Sequence, residues 1–274
     1  MNGVASVMTV ASVSRNDQAA GLRRMFAGAS PCFVPVVSNP HVGCGGVLLE
    51  RLSTALVERG ARVLVVDAGE RAGTPGEMAL IDLGQCIERL SPQVSYLTAR
   101  GLSIRFVDSS GSTRRFLEGI ADAAPESDAV IVHAPASELC RSFGHGRQSG
   151  IAFLGDEAPC PVVFAEDRPV SVTHAYAAMK LIAERSGFAV TELMLAAAPS
   201  SPRAPRIAAK LASCADHFFA GVLRDWAWID PAGDPCEPPG DDLRRIAALR
   251  FEKDAALRHF SRTAERRAAS AATA

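Results

Sequence analysis

The stretch Ser38-Asn39-Pro40-His41-Val42-Gly43-Cys44-Gly45-Gly46 follows an apolar run and precedes an amphipathic one. A glycine-rich turn between a strand and a helix is the outline of a phosphate-binding loop. That chemistry needs glycines whose backbone N–H groups curl around an anion, a lysine that neutralises the terminal phosphates, and a Ser/Thr hydroxyl that holds Mg²⁺. This turn has the glycines, but it has no lysine, and no hydroxyl at its helix end. A second stretch, Asp17-Gln18-Ala19-Ala20-Gly21-Leu22-Arg23-Arg24, reads as the start of a short helix running to about Ala27. Asn16 or Asp17 can cap it, and Leu22, Met25 and Phe26 form an apolar stripe. Gly21 in its middle costs about 1 kcal/mol relative to Ala, so the helix is expected to form on binding.

Other reactive side chains make no pattern. His41 and Cys44 are close in sequence, with His133 and Cys140 as companions, but no ligand spacing marks a metal site. There is no G-x-S-x-G or H-E-x-x-H, and the scattered Ser, His and Asp residues set out no triad. Arg114-Arg115 and Arg203/Arg206/Lys210 read as exposed helix faces.

The elements around the turn form a β–loop–α–β unit. Phe33 to Val37 is a short apolar run typical of a buried parallel strand, with Pro35 a blemish. Leu48, Leu49, Leu52, Ala55 and Leu56 give Val47 to Arg59 one apolar helical face, which Gly60 ends. Ala61 to Asp67 is the second strand. Further strands are expected at Ile104 to Val107, Ala129 to His133, Cys160 to Ala165, Leu193 to Ala197 and His217 to Val222. Helices are expected at Ser112 to Ala123, Val172 to Ser186 and Arg206 to Ala212. Strand–helix alternation predicts an α/β fold: a doubly wound, mostly parallel sheet with helices on both faces. Residues 1–30 read as a flexible tail carrying the short helix, 31–230 as the α/β domain, and 231–274 as a turn-rich linker, a charged helix (Asp241 to Arg267) and a tail.

Composition narrows the class. A chain of 274 residues with 48% hydrophobic content can bury a large core. The net charge of −1 favours no partner class, and 6% aromatic residues leave little for stacking on bases, so no nucleic-acid partner is expected. The 7 cysteines are dispersed without a C-x-x-C pair, which fits a reducing cytoplasm better than a disulfide framework. The start lacks a basic n-region, and no apolar run has transmembrane length.

The turn resembles the deviant phosphate-binding loop of the MinD/ParA superfamily, K-G-G-V-G-K-[ST]-T, followed by a helix and R-V-L-L-I-D-A-D. Aligned on Val42-Gly43, the family's signature lysine becomes Asn39, its catalytic-loop lysine Cys44 and its Mg²⁺ hydroxyl Gly45; Gly46 opens the helix. Asp67 keeps the first aspartate after the second strand, and Gly69 replaces the second. The family's D-x-x-x-I-D-x-P matches Asp128 to Pro135, with His133 in place of the acidic residue. The base-reading Asn expected after Leu195 gives way to Ala196-Ala197-Ala198. The resemblance implies ATP and Mg²⁺ as family cofactors. The residues present imply neither hydrolysis nor a retained cofactor, although the glycines and helix start keep the means to hold an anion.

Within that superfamily the chain resembles the flagellar-number regulators FlhG (FleN, YlxH). Their D-Q-A-x-x-L-R element matches Asp17 to Arg23, and their T-D-A-Y-x-x-[IM]-K segment matches Thr173 to Lys180 except at His174. This resemblance spans roughly 17–230. It implies control of flagellum number or placement, with Asp17, Gln18, Leu22 and Arg23 recognising and stimulating an FlhF-type GTPase. Flagellar switch (C-ring) proteins or a flagellar transcription regulator are further implied partners. ATP-gated homodimerisation, which uses the lysine replaced by Asn39, is not expected here; a constitutive monomer or dimer is. The family's C-terminal amphipathic helix implies a cytoplasmic protein with peripheral contact to the inner membrane. In this chain Leu243, Ile246, Leu249, Leu257 and Phe260 share one arc, but Arg250 and Lys253 fall inside it, so a solvated or core-docked helix is expected. Two readings result: a pseudo-ATPase acting through protein contacts, and a divergent ATP-binding switch with nucleotide-dependent dimerisation and membrane association. A third, a relative from another branch of the superfamily, is opposed by the Asp17–Arg23 match.

Overall fold

The computed structural model describes residues 31–80, 82–144, 159–199 and 201–251. The Asp17–Arg23 element and the chain beyond Phe251 lie outside the described residues. An 8-stranded sheet has the order β3-β4-β2-β5-β1-β6-β7-β8. The strands are β1 (Cys32–Val37), β2 (Val63–Asp67), β3 (Glu88–Arg89), β4 (Val94–Thr98), β5 (Ala129–Ala134), β6 (Val162–Glu166), β7 (Val190–Ala196) and β8 (Val222–Ile229). All pairings are parallel except the short β3 against β4. The helices are α1 (Gly45–Glu58), α2 (Arg114–Ala123), α3 (Ala136–Phe143), α4 (Pro169–Ser186), α5 (Ala204–Phe219) and α6 (Asp241–Ala248).

Period-two alternation divides the strand residues between two cores. Phe33 and Val37 of β1 join Leu64, Val66, Val130, Val132 and Leu195 under α2–α5. Val34 and Val36 join Val63, Val65, Ile131 and Phe164 under α1 and α6. Leu48, Leu52 and Leu56 of α1 are fully buried there, and burial of each stabilises the fold by roughly 1.5–3 kcal/mol. Pro35 is tolerated in this central strand because the β6 ladder begins only at Val36, leaving no partner there for the missing N–H.

The expected doubly wound sheet is present, and several elements differ from expectation. Ile104 to Val107 is not a strand: Ser103–Phe106 is a 3₁₀ turn, with Ile104 60% exposed. The strand of that region is β4, whose mixed sequence Val-Ser-Tyr-Leu-Thr suits a position near the sheet edge. The β2–β4 connection carries 3₁₀ turns and β3 rather than a helix, so strand–helix alternation is not strict. His217 to Phe219 continue α5, which stops at Ala220 in the left-handed region (φ 51°) before β8 starts at Val222. A short apolar and aromatic run cannot distinguish helix from strand, and the Leu211/Ala215 face carries the helix onward. Helix α3 falls where no helix was expected.

Helix α6 docks on the domain. Leu243 and Ile246, two members of the amphipathic arc, are buried in the α1-side core, whereas Leu249 is 56% exposed. Arg51 of α1 donates to the carbonyls of Asp234 and Glu237, clasping the turn-rich connection. Arg250 does not spoil an outer face: its side chain is 5% exposed and pairs with Glu192, which is 0% exposed and is also held by Arg224. Removing one partner of a buried ion cluster strands the other charge. Arg250→Ala is therefore expected to lower stability by about 3 kcal/mol, read as a fall in the urea midpoint with unchanged slope.

Candidate functional site

The C-terminal ends of β1, β2, β5 and β6 meet at one end of the sheet, where open α/β folds place their ligands. A cavity of about 240 Å³ opens there. It is lined by Ser38, Asn39, Val42, Gly43, Gly45 and Gly46 of the loop, by Asp67 at the end of β2 with Glu70 and Arg71 beyond it, and by His133 and Phe164. Of the Ser38–Gly46 stretch, Pro40, His41 and Cys44 do not line the cavity. Cys44 precedes α1 and packs against the α1-side core. Burial pushes its thiol up and the Glu166 charge adds to this, so it stays protonated rather than reactive.

Asn39 does not reach outward. It is 6% exposed, and its amide donates to the Phe164 carbonyl (3.0 Å), the Ser171 carbonyl (3.0 Å) and Ser171 Oγ (3.1 Å). Its Oδ1 accepts the His41 N–H at 3.1 Å. The residue at the signature-lysine position therefore ties the loop to β6 and to the start of α4. Two guanidinium groups hold the loop carbonyls from outside: Arg71 on Pro40 (3.0 Å) and Arg168 on His41. Ser38 Oγ donates to Glu70 at 2.7 Å.

Asp67 and His133 face each other in the paired register of β2 and β5. His133 Nδ1 lies 2.7 Å from Asp67 Oδ1, which also accepts the Gly69 N–H at 3.0 Å. The Tyr96 hydroxyl donates to Asp67 Oδ2 at 2.9 Å. Burial pushes the Asp67 carboxyl up, but His133, the Gly69 amide and Tyr96 outweigh it and hold the group below the usual carboxylate range. An ionised Asp67 can only accept, so Nδ1 carries the proton of the 2.7 Å contact. Position 69 is coupled to this pair, because a Cβ added there would meet His133 Cε1 at 2.6 Å.

Mg²⁺ with ATP does not fit this donor set. No cation faces the place of the β/γ-phosphates from positions 39 or 44, Gly45 offers no hydroxyl, and Asp67 is fully engaged by its neighbours. Ala196 and Ala197 are buried, and the Trp228 indole N–H occupies the Ala197 carbonyl at 2.9 Å. His41, Cys44, His133 and Cys140 are not brought together. Among the described residues no group of three or more His, Cys, Asp or Glu is arranged to hold a metal. In the Thr173–Lys180 segment of α4, Ala175, Ala178 and Met179 are buried and the Tyr176 ring lies 5.8 Å from that of Phe219. Only Thr173, Ala177 and Lys180 of that match are exposed. Asp17, Gln18, Leu22 and Arg23 lie outside the described residues.

Sequence reasoning passed over Glu70, Arg71, Tyr96, Glu166, Arg168 and Ser171. One signal was available for two of them: Glu166-Asp167-Arg168 is an abrupt charged run at the C-terminal end of a buried strand.

Two outcomes are expected. Gly69→Ala should cost about 1–3 kcal/mol through overpacking. Because His133 is what it strikes, His133→Ala should recover much of that loss in a double-mutant cycle. The depressed Asp67 carboxyl contributes stability that is fully present above the unfolded value of about 4 and is lost as pH falls through the lower folded value. Urea unfolding between pH 7 and pH 3 should show Asp67→Asn losing less stability on acidification than the wild type.

Comparison with protein-family models and with curated proteins finds no match. Solved structures do match. A putative plasmid partition protein from Borrelia burgdorferi B31 bound to AMPPNP has a TM-score of 0.53 at 8% identity, covering 81% of this chain and 98% of that one. Another plasmid partition protein from Borrelia burgdorferi has a TM-score of 0.51 at 9% identity over 81% and 98%. The septum site-determining protein MinD complexed with Mg-ADP from Pyrococcus horikoshii OT3 has a TM-score of 0.47 at 17% identity over 80% and 95%. At these identities the likeness is one of architecture: the chain has the mostly parallel, doubly wound fold of the MinD/ParA-type P-loop NTPases.

Proposed function

We propose that this chain is an FlhG-like pseudo-ATPase of MinD/ParA fold that regulates flagellum number or placement through protein contacts. The observation that carries its nucleotide-independent half is Asn39. The position that supplies a cation in the resembled loop is a buried amide bonded to Phe164 and Ser171. A loop fixed in this way offers no charge to a triphosphate, and no mobile side chain for ATP-gated dimerisation. The partner half rests on the Asp17–Arg23 sequence match. Leu22 is its apolar anchor, while Asp17, Gln18 and Arg23 are its polar contacts to an FlhF-type GTPase. C-ring proteins or a transcription regulator would bind the folded domain, and no nucleic acid is required. Peripheral membrane contact would have to come from beyond α6, whose Leu243 and Ile246 are committed to the core.

The test is GTP hydrolysis by a purified FlhF-type GTPase with and without the full chain, in the absence of ATP. Severalfold stimulation by the wild type and none by Gln18→Ala is expected. Equal stimulation by Gln18→Ala would refute the motif assignment. Stimulation that needs Mg²⁺ and ATP would shift the reading to a divergent ATP-binding switch.

A further inference from the structure

The loop glycines face unequal surroundings. A Cβ added at Gly45 or Gly46 would meet nothing within 4 Å, whereas one at Gly43 would lie 3.9 Å from Glu166 Oε1. The Gly43 N–H donates to Glu166 Oε2 at 3.4 Å. Arg168 holds the same oxygen through Nε at 3.0 Å and through Nη2, and Nη2 also donates to the His41 carbonyl. The Glu166 backbone is itself fixed, because its N–H donates to Ser171 Oγ at 2.9 Å, the hydroxyl that also receives the Asn39 amide. A negative carboxylate is therefore anchored at the rim of a loop whose shape suits an anion, with its own cation attached.

We propose that Glu166 is the resident anion of this loop. Its carboxylate takes the Gly43 amide that a phosphate oxygen would otherwise use, and the Glu166–Arg168–His41 clasp keeps the loop closed to phosphates. Carboxylate and phosphate oxygens are interchangeable acceptors for oriented backbone N–H groups. An incoming phosphate must displace the Glu166 carboxylate from both the Gly43 amide and the Arg168 guanidinium before it can use either donor. The remaining nearby acids are engaged, Glu70 by Ser38 and Asp67 by His133 and Tyr96, so Glu166 is the group whose removal frees a loop donor. This inference rests on the nucleotide-independent reading and gives it a physical cause: the loop is internally occupied as well as stripped of its lysines.

The experiment is calorimetric titration of the full chain with pyrophosphate and with Mg-ATP, using wild type, Glu166→Ala and Glu166→Gln. Glu166→Gln keeps the size of the side chain and removes its charge, and it serves where Glu166→Ala fails to fold. Pyrophosphate binding at least tenfold tighter in the variants than in the wild type is expected. If folded variants gain no binding, the internal-anion proposal falls while the nucleotide-independent reading stands. If the wild type binds Mg-ATP but the variants bind pyrophosphate tenfold tighter still, the proposal stands and that reading falls. Equal, tight binding by all three proteins overturns both.

Discussion

A glycine-rich turn at the end of a buried parallel strand presents backbone N–H and C=O groups that must all find partners. In a phosphate-binding loop, ligand and lysine meet part of that demand. Here the chain meets it from within. Asn39 carries the heaviest share, joining the loop to the β6 carbonyl at Phe164 and to Ser171 at the start of α4. Arg71 and Arg168 take the carbonyls of Pro40 and His41, and Glu166 takes the Gly43 amide. These contacts hold the outline of the loop, and the cavity keeps its shape because the loop does.

The same logic joins positions that look independent in sequence. Gly69 and His133 are 64 residues apart by their numbering, and each reads as a separate loss of an acidic residue. In space they are one arrangement, since the imidazole at 133 fills the volume a side chain at 69 would need. The register of β2 against β5 brings Asp67 opposite His133, and Tyr96 on β4 completes the set from the other neighbour of β2. A half-buried carboxylate with three donors is a satisfied group. The site therefore reads as a repacked arrangement with its own internal consistency.

Much of the fold could be read from the sequence, because its signals are local. The apolar run at Phe33, the glycines, the Leu48–Leu56 face and the strand at Val63 each obey a short-range rule, and together they place β1, α1 and β2. Strand β4 was not legible, since Val94 to Thr98 is half polar and its role depends on lying beside β2. The boundary between α5 and β8 was missed because His217-Phe218-Phe219 satisfies either period. At the site, the missing lysines and hydroxyl could be read as absences. The contacts that hold the loop could not, because Glu166, Arg168 and Ser171 lie 120 or more residues beyond it and are brought to it by the β1–β6 pairing.

A nucleotide switch works because its loop has two states of different affinity for the ligand, and a ligand shifts such an equilibrium only by that difference. A loop whose Asn39 side chain, Gly43 amide and Pro40 and His41 carbonyls are already held by the chain has less to gain from a second state. On the proposed reading, regulation must then move elsewhere: to the presence of partners, to their competition for one surface, and to segments that order when they bind. The Asp17–Arg23 stretch, whose Gly21 disfavours a preformed helix, would suit that role, since the ordering cost would fall at the moment of binding and favour reversible contact over permanent docking. The rigid sheet and the internally closed loop would then serve as a fixed platform, and the timing would belong to the partners.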